Sequence, residues 1–175
     1  LGWLYEGQGA YKQALPWLKQ GLELTRNRLG SEHPAVATSL HNLASVYENQ
    51  GRYCEAEPLY VEALEMKKKL LGTEHSSVVI SLNNLALVYR YQGRYSEAEP
   101  LFVQALEIRK KLYDQEHLRL AISLNNLALL YYDQARYCEA EPLYVEALEM
   151  KKRLYGQEHR SVATSLNNLA TLYSN

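Results

Sequence analysis

The chain has 175 residues, and 47% of them are hydrophobic, which is enough apolar surface for one domain with a buried core. Its net charge of −1 excludes the strongly basic surface typical of proteins that bind nucleic acids or anionic membranes. Its two cysteines are too few for a disulfide framework, and no apolar run is long enough to span a bilayer, so we expect a cytoplasmic protein.

A period of 42 residues organises the whole sequence, and it divides the chain into units. The segment RYCEAEPLYVEALEMKK occurs twice without change, at 52–68 and at 136–152. The same spacing links four sets of identical residues and one set in which alanine replaces the last glycine: Tyr11, Tyr53, Tyr95 and Tyr137; Ala14, Ala56, Ala98 and Ala140; Pro16, Pro58, Pro100 and Pro142; His33, His75, His117 and His159; Gly9, Gly51, Gly93 and Ala135. The period predicts these units: a partial repeat 1–33, repeats 34–75, 76–117 and 118–159, and a final helix 160–175.

The first part of each repeat predicts an amphipathic helix. In the repeat 76–117, apolar residues recur at the i, i+3, i+4 and i+7 spacing that places them on one side of a helix: Leu82, Leu85, Ala86 and Tyr89. The chain opens inside such a helix and its start has no signal-peptide pattern. Because it lacks an initiating Met, we expect a fragment of a longer protein. The last helix of this kind is predicted over about 160–174.

A turn and a second helix follow in each repeat. Gly93 suits a left-handed turn, and the second helix is predicted over about 95–113. Ser96 and Glu99 have the spacing of a capping box at the start of this helix. Pro100 follows closely, where we expect its missing N–H to cost at most the first intrahelical bond.

The second helices are predicted to end in basic residues and a glycine. Three basic triplets lie where cations stabilise the carbonyl end of a helix: Lys67, Lys68 and Lys69; Arg109, Lys110 and Lys111; Lys151, Lys152 and Arg153. Three glycines then end the helices, and in one repeat an aspartate that tolerates the left-handed conformation replaces the glycine: Gly30, Gly72, Gly156 and Asp114. The four loop histidines lie one repeat apart, too far to share a zinc ion, and we interpret them as turn and cap residues.

A helix pair cannot bury its apolar side alone, so we expect the pairs to stack into an all-α solenoid of about nine helices. The pattern resembles the tetratricopeptide repeat, because small and aromatic residues recur at the spacing of that family: Ala44 and Tyr47, then Ala56, Tyr60 and Ala63, with counterparts in the later repeats. The resemblance implies a right-handed superhelix of antiparallel helix hairpins. The period is 42 rather than the usual 34, and Ala replaces the family's early glycine in every unit but the first, where Gly2 keeps it. The longer period and the LNNLA and GRYxEAEPLY segments are similar to kinesin light chain repeats, which also occur in cyanobacterial proteins.

The resemblance implies that the first helices line a concave groove. Asparagine recurs on the side of these helices opposite the apolar stripe, and apolar, aromatic or acidic residues accompany it in the middle repeats: Asn42, Asn84, Asn126 and Asn168; Ile80, Leu87, Tyr91, Ile122, Leu129 and Asp133. Asn83 and Asn125 flank the set. Amide side chains can donate to and accept from a peptide backbone, so we predict that a peptide segment of a partner protein binds there. The alternative is structural, because the same asparagines can bond to the backbone of the next repeat.

Other residues do not form a recognisable catalytic or cofactor site. The glutamates of the second helices alternate with lysines and are typical of a solvated surface, and the sequence contains no phosphate-binding loop, nucleophile elbow or HExxH motif. Cys54 and Cys138 occupy the position that Ser96 fills in another repeat, which favours a simple polar role. Tyr91 and Tyr132 break the repeat pattern, and we expect them to be exposed. We therefore predict a protein-binding module that is not an enzyme and needs no cofactor, metal, nucleic acid or membrane. The alternative is a structural spacer or a scaffold that associates end to end.

Overall fold

The computed structural model describes residues 11–113 and 117–174, which form helices joined by short turns and contain no strand. Eight helices follow one another in this part of the chain: α1 (Tyr11–Leu29), α2 (Pro34–Asn49), α3 (Tyr53–Leu71), α4 (Ser76–Tyr91), α5 (Tyr95–Leu112), α6 (Leu118–Asp133), α7 (Tyr137–Tyr155) and α8 (Arg160–Tyr173). Helices α5 and α8 begin and end within one residue of their predicted bounds. Outside the described residues lie the first of the nine predicted helices and four positions discussed above: Gly2, Gly9, Asp114 and Asn175.

The helices form two compact units, Leu1–Gln92 with α1 to α4 and Gly93–Asn175 with α5 to α8. Within each unit, every helix packs against the helices that precede and follow it in sequence. In the first unit the large side chains of Leu40, Tyr60 and Leu82 are fully buried. This nearest-neighbour packing is the stacking of hairpins that the 42-residue period predicts.

In the second unit, one buried cluster joins α6, α7 and α8. Its buried members are Ala128, Ala140, Tyr144, Leu148, Val162, Leu169 and Leu172. Alanine at the closest helix contacts lets the backbones approach, and the tyrosine ring fills the space beside them. The small and large residues that carry the sequence pattern are therefore packing residues.

Histidine caps every first helix that the structure describes. The ring nitrogen Nδ1 of each accepts a hydrogen bond, 3.1–3.2 Å long, from the backbone N–H two residues further on: His33, His75, His117 and His159. The bond satisfies one of the N–H groups that a helix start leaves without an intrahelical acceptor. The interpretation of these histidines as cap residues is confirmed.

The turns between first and second helices require a left-handed residue. Gly51 and Gly93 have φ angles of +70° and +74°, so the predicted role of Gly93 is confirmed. Ala135 occupies the same place with φ +56°, and it is the one non-glycine residue with positive φ in the described part of the chain. Its Cβ therefore carries the steric cost that glycine avoids.

The predicted capping box at the second helix is wrong. Helix α5 begins at Tyr95, and its N-cap residue Arg94 makes no side-chain bond to the helix N–H groups. Arg94 instead donates to Glu97 at 2.7 Å, and Ser96 is already inside the helix. Because the helix begins earlier than the capping box implied, Pro100 is its sixth residue, and the missing N–H falls beyond the first turn.

The first residue of each basic triplet has a different role from the one predicted. Lys67, Arg109 and Lys151 turn towards the next first helix and donate to the hydroxyls of Ser81, Ser123 and Ser165 at 2.8, 2.9 and 2.7 Å. Arg109 and Lys151 are only 7% exposed. These cations join one repeat to the next. The second lysines, Lys68 and Lys152, stay at the surface and pair with glutamates one turn earlier.

Candidate functional site

We define the first-helix face of each unit as the side of its first helices that carries the asparagines and the predicted binding residues. In Leu1–Gln92 this face belongs to α2 and α4. Its exposed members are Thr38, Asn49, Ile80 and Tyr91, and its half-buried members are Asn42, Ser45, Asn84 and Leu87. Ile80 is 43% exposed and Tyr91 is 52% exposed, although both are large apolar or aromatic side chains. The Tyr91 ring stacks on Tyr53 with the centroids 5.2 Å apart, which holds it in place.

A polar cluster lies beneath this face and connects α2, α3 and α4. The Nδ2 atom of Asn84 lies 3.4 Å from Nε2 of His41, so the asparagine contacts the preceding repeat. The Tyr60 hydroxyl donates to Oε2 of Glu48 at 2.6 Å. The His41 and Tyr60 rings meet edge to face, with centroids 5.4 Å apart.

Burial shifts the pKa values of the titratable side chains in and beside this cluster. Burial, and then the positive charge of Lys67, lower the pKa of His41 to about 4, so this histidine is neutral near pH 7. Burial also raises the pKa of the Glu48 carboxyl and of the Tyr60 hydroxyl and lowers the pKa of Lys67. A neutral imidazole can accept from Asn84 through Nε2, which is consistent with the observed contact.

In Gly93–Asn175 the first-helix face belongs to α6 and α8. Ile122 is 41% exposed, and Asn126, Leu129 and Asp133 are half-buried. The Nδ2 atom of Asn168 donates to Oδ1 of Asn125 at 2.8 Å, a link between successive repeats like the one between Asn84 and His41. Asn84 and Asn168 are thus tied to side chains of the preceding repeat, rather than to the backbone of the next repeat, and both stay half-buried.

The family comparison agrees with this architecture. The tetratricopeptide repeat model matches residues 1–69, 35–111, 77–153 and 119–174. The chain belongs to the tetratricopeptide repeat family. Repeats of this family are generally protein-interaction modules rather than enzymes. No curated protein matches the sequence.

Solved structures of similar tetratricopeptide repeats support the same assignment. A structure from Podosopora anserina, described as kinesin light chain with nearly identical TPR-like repeats, is 29% identical with a TM-score of 0.86; the match covers 99% of this chain and 82% of that chain. BtubC (BKLC) from P. vanneervenii, at 24% identity, has a TM-score of 0.87 over 99% of this chain and 69% of that one. The apo form of RapI, at 17% identity, has a TM-score of 0.81 over 99% and 46%. The predicted likeness to kinesin light chain repeats, including bacterial ones, is confirmed.

Two residues of this tetratricopeptide repeat protein are placed differently from the prediction. Asn83 is 6% exposed, and its Nδ2 atom donates to the carbonyl of Val79 at 2.7 Å, so it does not present its amide on the first-helix face. Tyr132 is half-buried and packs against Tyr137 with centroids 5.7 Å apart, so its predicted exposure is wrong. Tyr132 differs because the second helix of its own repeat packs against a position that a single-helix projection leaves open.

The sequence analysis missed the cations that bond across to the serines of the next first helix. Lys67 lies close enough to His41 to lower its pKa, and its ammonium bonds a serine hydroxyl rather than a carboxylate. Lys151 has the same arrangement with Ser165 in the second unit. The signal was present in the sequence, because a basic residue is followed fourteen residues later by serine in three repeats.

None of the helices in the described part of the chain is long and apolar enough to cross a membrane.

Proposed function

We propose that each first-helix face binds an extended peptide segment of a partner protein. The observation that carries the proposal is the exposure of large apolar side chains, Ile80, Tyr91 and Ile122, beside half-buried amides on these faces. Apolar side chains with a few fixed polar groups are the usual composition of a ligand-binding surface. The two free, exposed cysteines suit the reducing cytoplasmic setting that we propose for the protein.

In the first unit, Ile80, Leu87 and Tyr91 supply the apolar contact for a side chain of the peptide. Tyr91 is already stacked on Tyr53, so little rotamer entropy is lost when a ligand packs against it. Asn42 and Asn84 are placed to meet the peptide backbone from α2 and α4. The positive charge of Lys67 beneath the face favours a carboxylate on the peptide at this point.

The second unit offers the same chemistry with other side chains. Ile122 and Leu129 take the places of Ile80 and Leu87, and Asn126 and Asn168 supply the amides. Asp133 takes the place of Tyr91 and removes the aromatic contact. The two faces therefore prefer different peptide side chains, since the apolar and charged groups differ while the amides are shared.

A display selection of random peptides on the purified protein tests the proposal. The binding of a selected peptide is then measured by calorimetry on the wild type, on Ile80→Asp and on Val61→Asp. Val61 is a matched control, because it is 38% exposed but lies on α3, outside the first-helix face. We expect Ile80→Asp to weaken binding at least tenfold, which is about 1.4 kcal/mol, and Val61→Asp to leave it unchanged.

Either of two results would overturn the proposal. Selection could yield no peptide, or the selected peptides could bind Ile80→Asp as tightly as the wild type. The alternative function, a spacer or self-assembling scaffold, predicts oligomers that grow with protein concentration in light scattering. A peptide-binding module predicts a constant mass.

A further inference from the structure

A cavity of about 350 Å³ lies in the second unit between the second helices α5 and α7. Its lining combines three charged side chains, one aromatic ring and two apolar residues: Lys110, Glu146, Arg153, Tyr113, Leu120 and Met150. Three of these residues share one side of α7, because Glu146, Met150 and Arg153 follow the i, i+4, i+7 spacing. We call this site the α5–α7 cavity. It contains no residue of the first-helix faces, so it is independent of the peptide sites proposed above.

The α5–α7 cavity has buried apolar residues and a fixed aromatic ring in its lining. Leu120 and Met150 are only 3% and 2% exposed, so the packing of the core sets their positions. The Tyr113 ring stacks on His117 with the centroids 4.1 Å apart, and its hydroxyl accepts from Nη1 of Arg119 at 2.7 Å. Because these contacts already hold the ring, little rotamer entropy is lost when an apolar group of a ligand packs against it.

The first unit has two equivalent charged residues, and there they bind each other. Arg26 on α1 and Glu62 on α3 lie two repeats before Lys110 and Glu146, and they form an ion pair between the two helices. Lys110 and Glu146 are exposed, and neither has a hydrogen-bond or ion-pair partner among the residues that the structure describes. The ion pair of the first unit is therefore not repeated at the cavity, and the charge of Lys110 is left for another group.

The charges around the cavity favour a ligand with one negative charge. Lys110 and Arg153 are cationic, Glu146 is anionic and all three are exposed, which leaves one net positive charge at the opening. A monovalent carboxylate balances that charge, whereas Glu146 repels the second charge of a phosphate. The volume of the cavity is that of a site for a small molecule rather than for a peptide chain.

We propose that the α5–α7 cavity binds a small organic carboxylate with an apolar body. The carboxylate pairs with the ammonium of Lys110, and the apolar body packs against Tyr113, Leu120 and Met150. Recognition depends on Lys110 in particular, because its charge has no partner among the described residues. Arg153 adds positive charge at the opening.

NMR of the methionine methyl groups tests this proposal on the intact protein. The chain has two methionines: Met150 lines the cavity, and Met66 lies at the equivalent position of the first unit, where it serves as an internal control. The probe is hydrocinnamate, and its matched control is the uncharged hydrocinnamamide. We expect hydrocinnamate to shift the Met150 signal saturably and to leave the Met66 signal unchanged. We also expect it to bind at least about tenfold more tightly than the amide.

Two variants of α5 separate the cavity from the general charge of this helix. Lys110→Gln removes the cation of the cavity, and Lys111→Gln removes an adjacent exposed cation that is not part of the lining. We expect Lys110→Gln to weaken hydrocinnamate binding at least about tenfold and Lys111→Gln to leave it within about twofold of the wild type. Melting temperatures close to that of the wild type show that both variants remain folded.

Four results would contradict the proposal. If the Met150 signal does not shift, the cavity does not accept the probe, as expected if Lys110 closes onto Glu146 in solution. If the amide binds as tightly as the acid, or if Lys110→Gln binds like Lys111→Gln, the charge of Lys110 is not recognised. If inorganic phosphate displaces hydrocinnamate at equal concentration, the site does not select monovalent carboxylates. None of these results changes the expectation for peptide binding at the first-helix faces, which the calorimetry tests separately.

Discussion

His41 occupies the position that asparagine fills in the three later repeats: Asn83, Asn125 and Asn167. The side chains at this position have divided roles, since Asn83 bonds to its own helix, Asn125 accepts from Asn168, and His41 contacts Asn84. Sequence alone identified the position as repeated and polar. Which partner each side chain takes depends on the helix packed beside it, and that is a tertiary property.

The pH dependence of stability should report on His41. Its folded-state pKa of about 4 lies below the ordinary 6.5, so the unfolded chain takes up the proton first as the pH falls. The stability is therefore complete above pH 6.5 and is lost as the pH falls towards 4, by at most about 3 kcal/mol. We expect His41→Asn, which installs the residue of the other repeats, to flatten this loss.

Urea denaturation of both proteins between pH 7 and pH 4 measures the effect. The nearby Glu48, whose raised pKa acts in the opposite direction, is present in both proteins and cancels in the comparison. Equal pH slopes for the wild type and His41→Asn would show that His41 is not the titrating group.

At the scale of turns and helix ends, the local sequence predicted correctly only those features that backbone geometry determines. Gly51 and Gly93 take the left-handed conformation, and the loop histidines cap the first helices. The capping box does not form because α5 begins at Tyr95, which places Ser96 inside the helix, and Glu99 bonds instead with Tyr131 and Arg136. Local spacing cannot reveal that a carboxylate has a better partner on another helix.

Ala135 provides a prediction at this scale. Since its φ is +56° at a turn where the equivalent residues are glycine, Ala135→Gly should raise the free energy of unfolding by roughly 0.5–1 kcal/mol. The converse Gly93→Ala should lower it by a similar amount or more, because a Cβ there meets no atom within 4 Å and only the backbone conformation is strained. Chemical denaturation of the two variants measures both changes in the free energy of unfolding. If Gly93→Ala raised this free energy, the left-handed backbone would not be the source of the cost at Ala135.

At the scale of the whole molecule, the pattern of helix contacts sets how stability is distributed. In both units each helix packs on its sequence neighbours, so stability should be close to a sum of local terms. The same organisation leaves one side of the first helices open for ligands. The repeat therefore builds the core and the proposed binding surfaces from the same two helices.

This distribution is testable with two matched core variants. Leu40 and Leu124 are fully buried at equivalent positions of the two units, and replacing either with Ala should cost about 2–5 kcal/mol. We expect hydrogen exchange to accelerate mainly in 11–92 for Leu40→Ala and mainly in 93–174 for Leu124→Ala. Uniform acceleration along the chain in both variants would instead indicate a single cooperative unit.

The sequence by itself determined the helices, the 42-residue repeat and the family, because these depend on the periodic placement of small, large and turn residues. It also located the first-helix face, since Ile80, Tyr91 and Ile122 are exposed where a helical projection placed them. Only the tertiary structure decided that Asn83 is buried and that Lys67 and Lys151 reach across to serines. The reason is physical: periodicity along one helix fixes which residues share a side, but the neighbouring helix decides which side is covered and which polar group finds a partner.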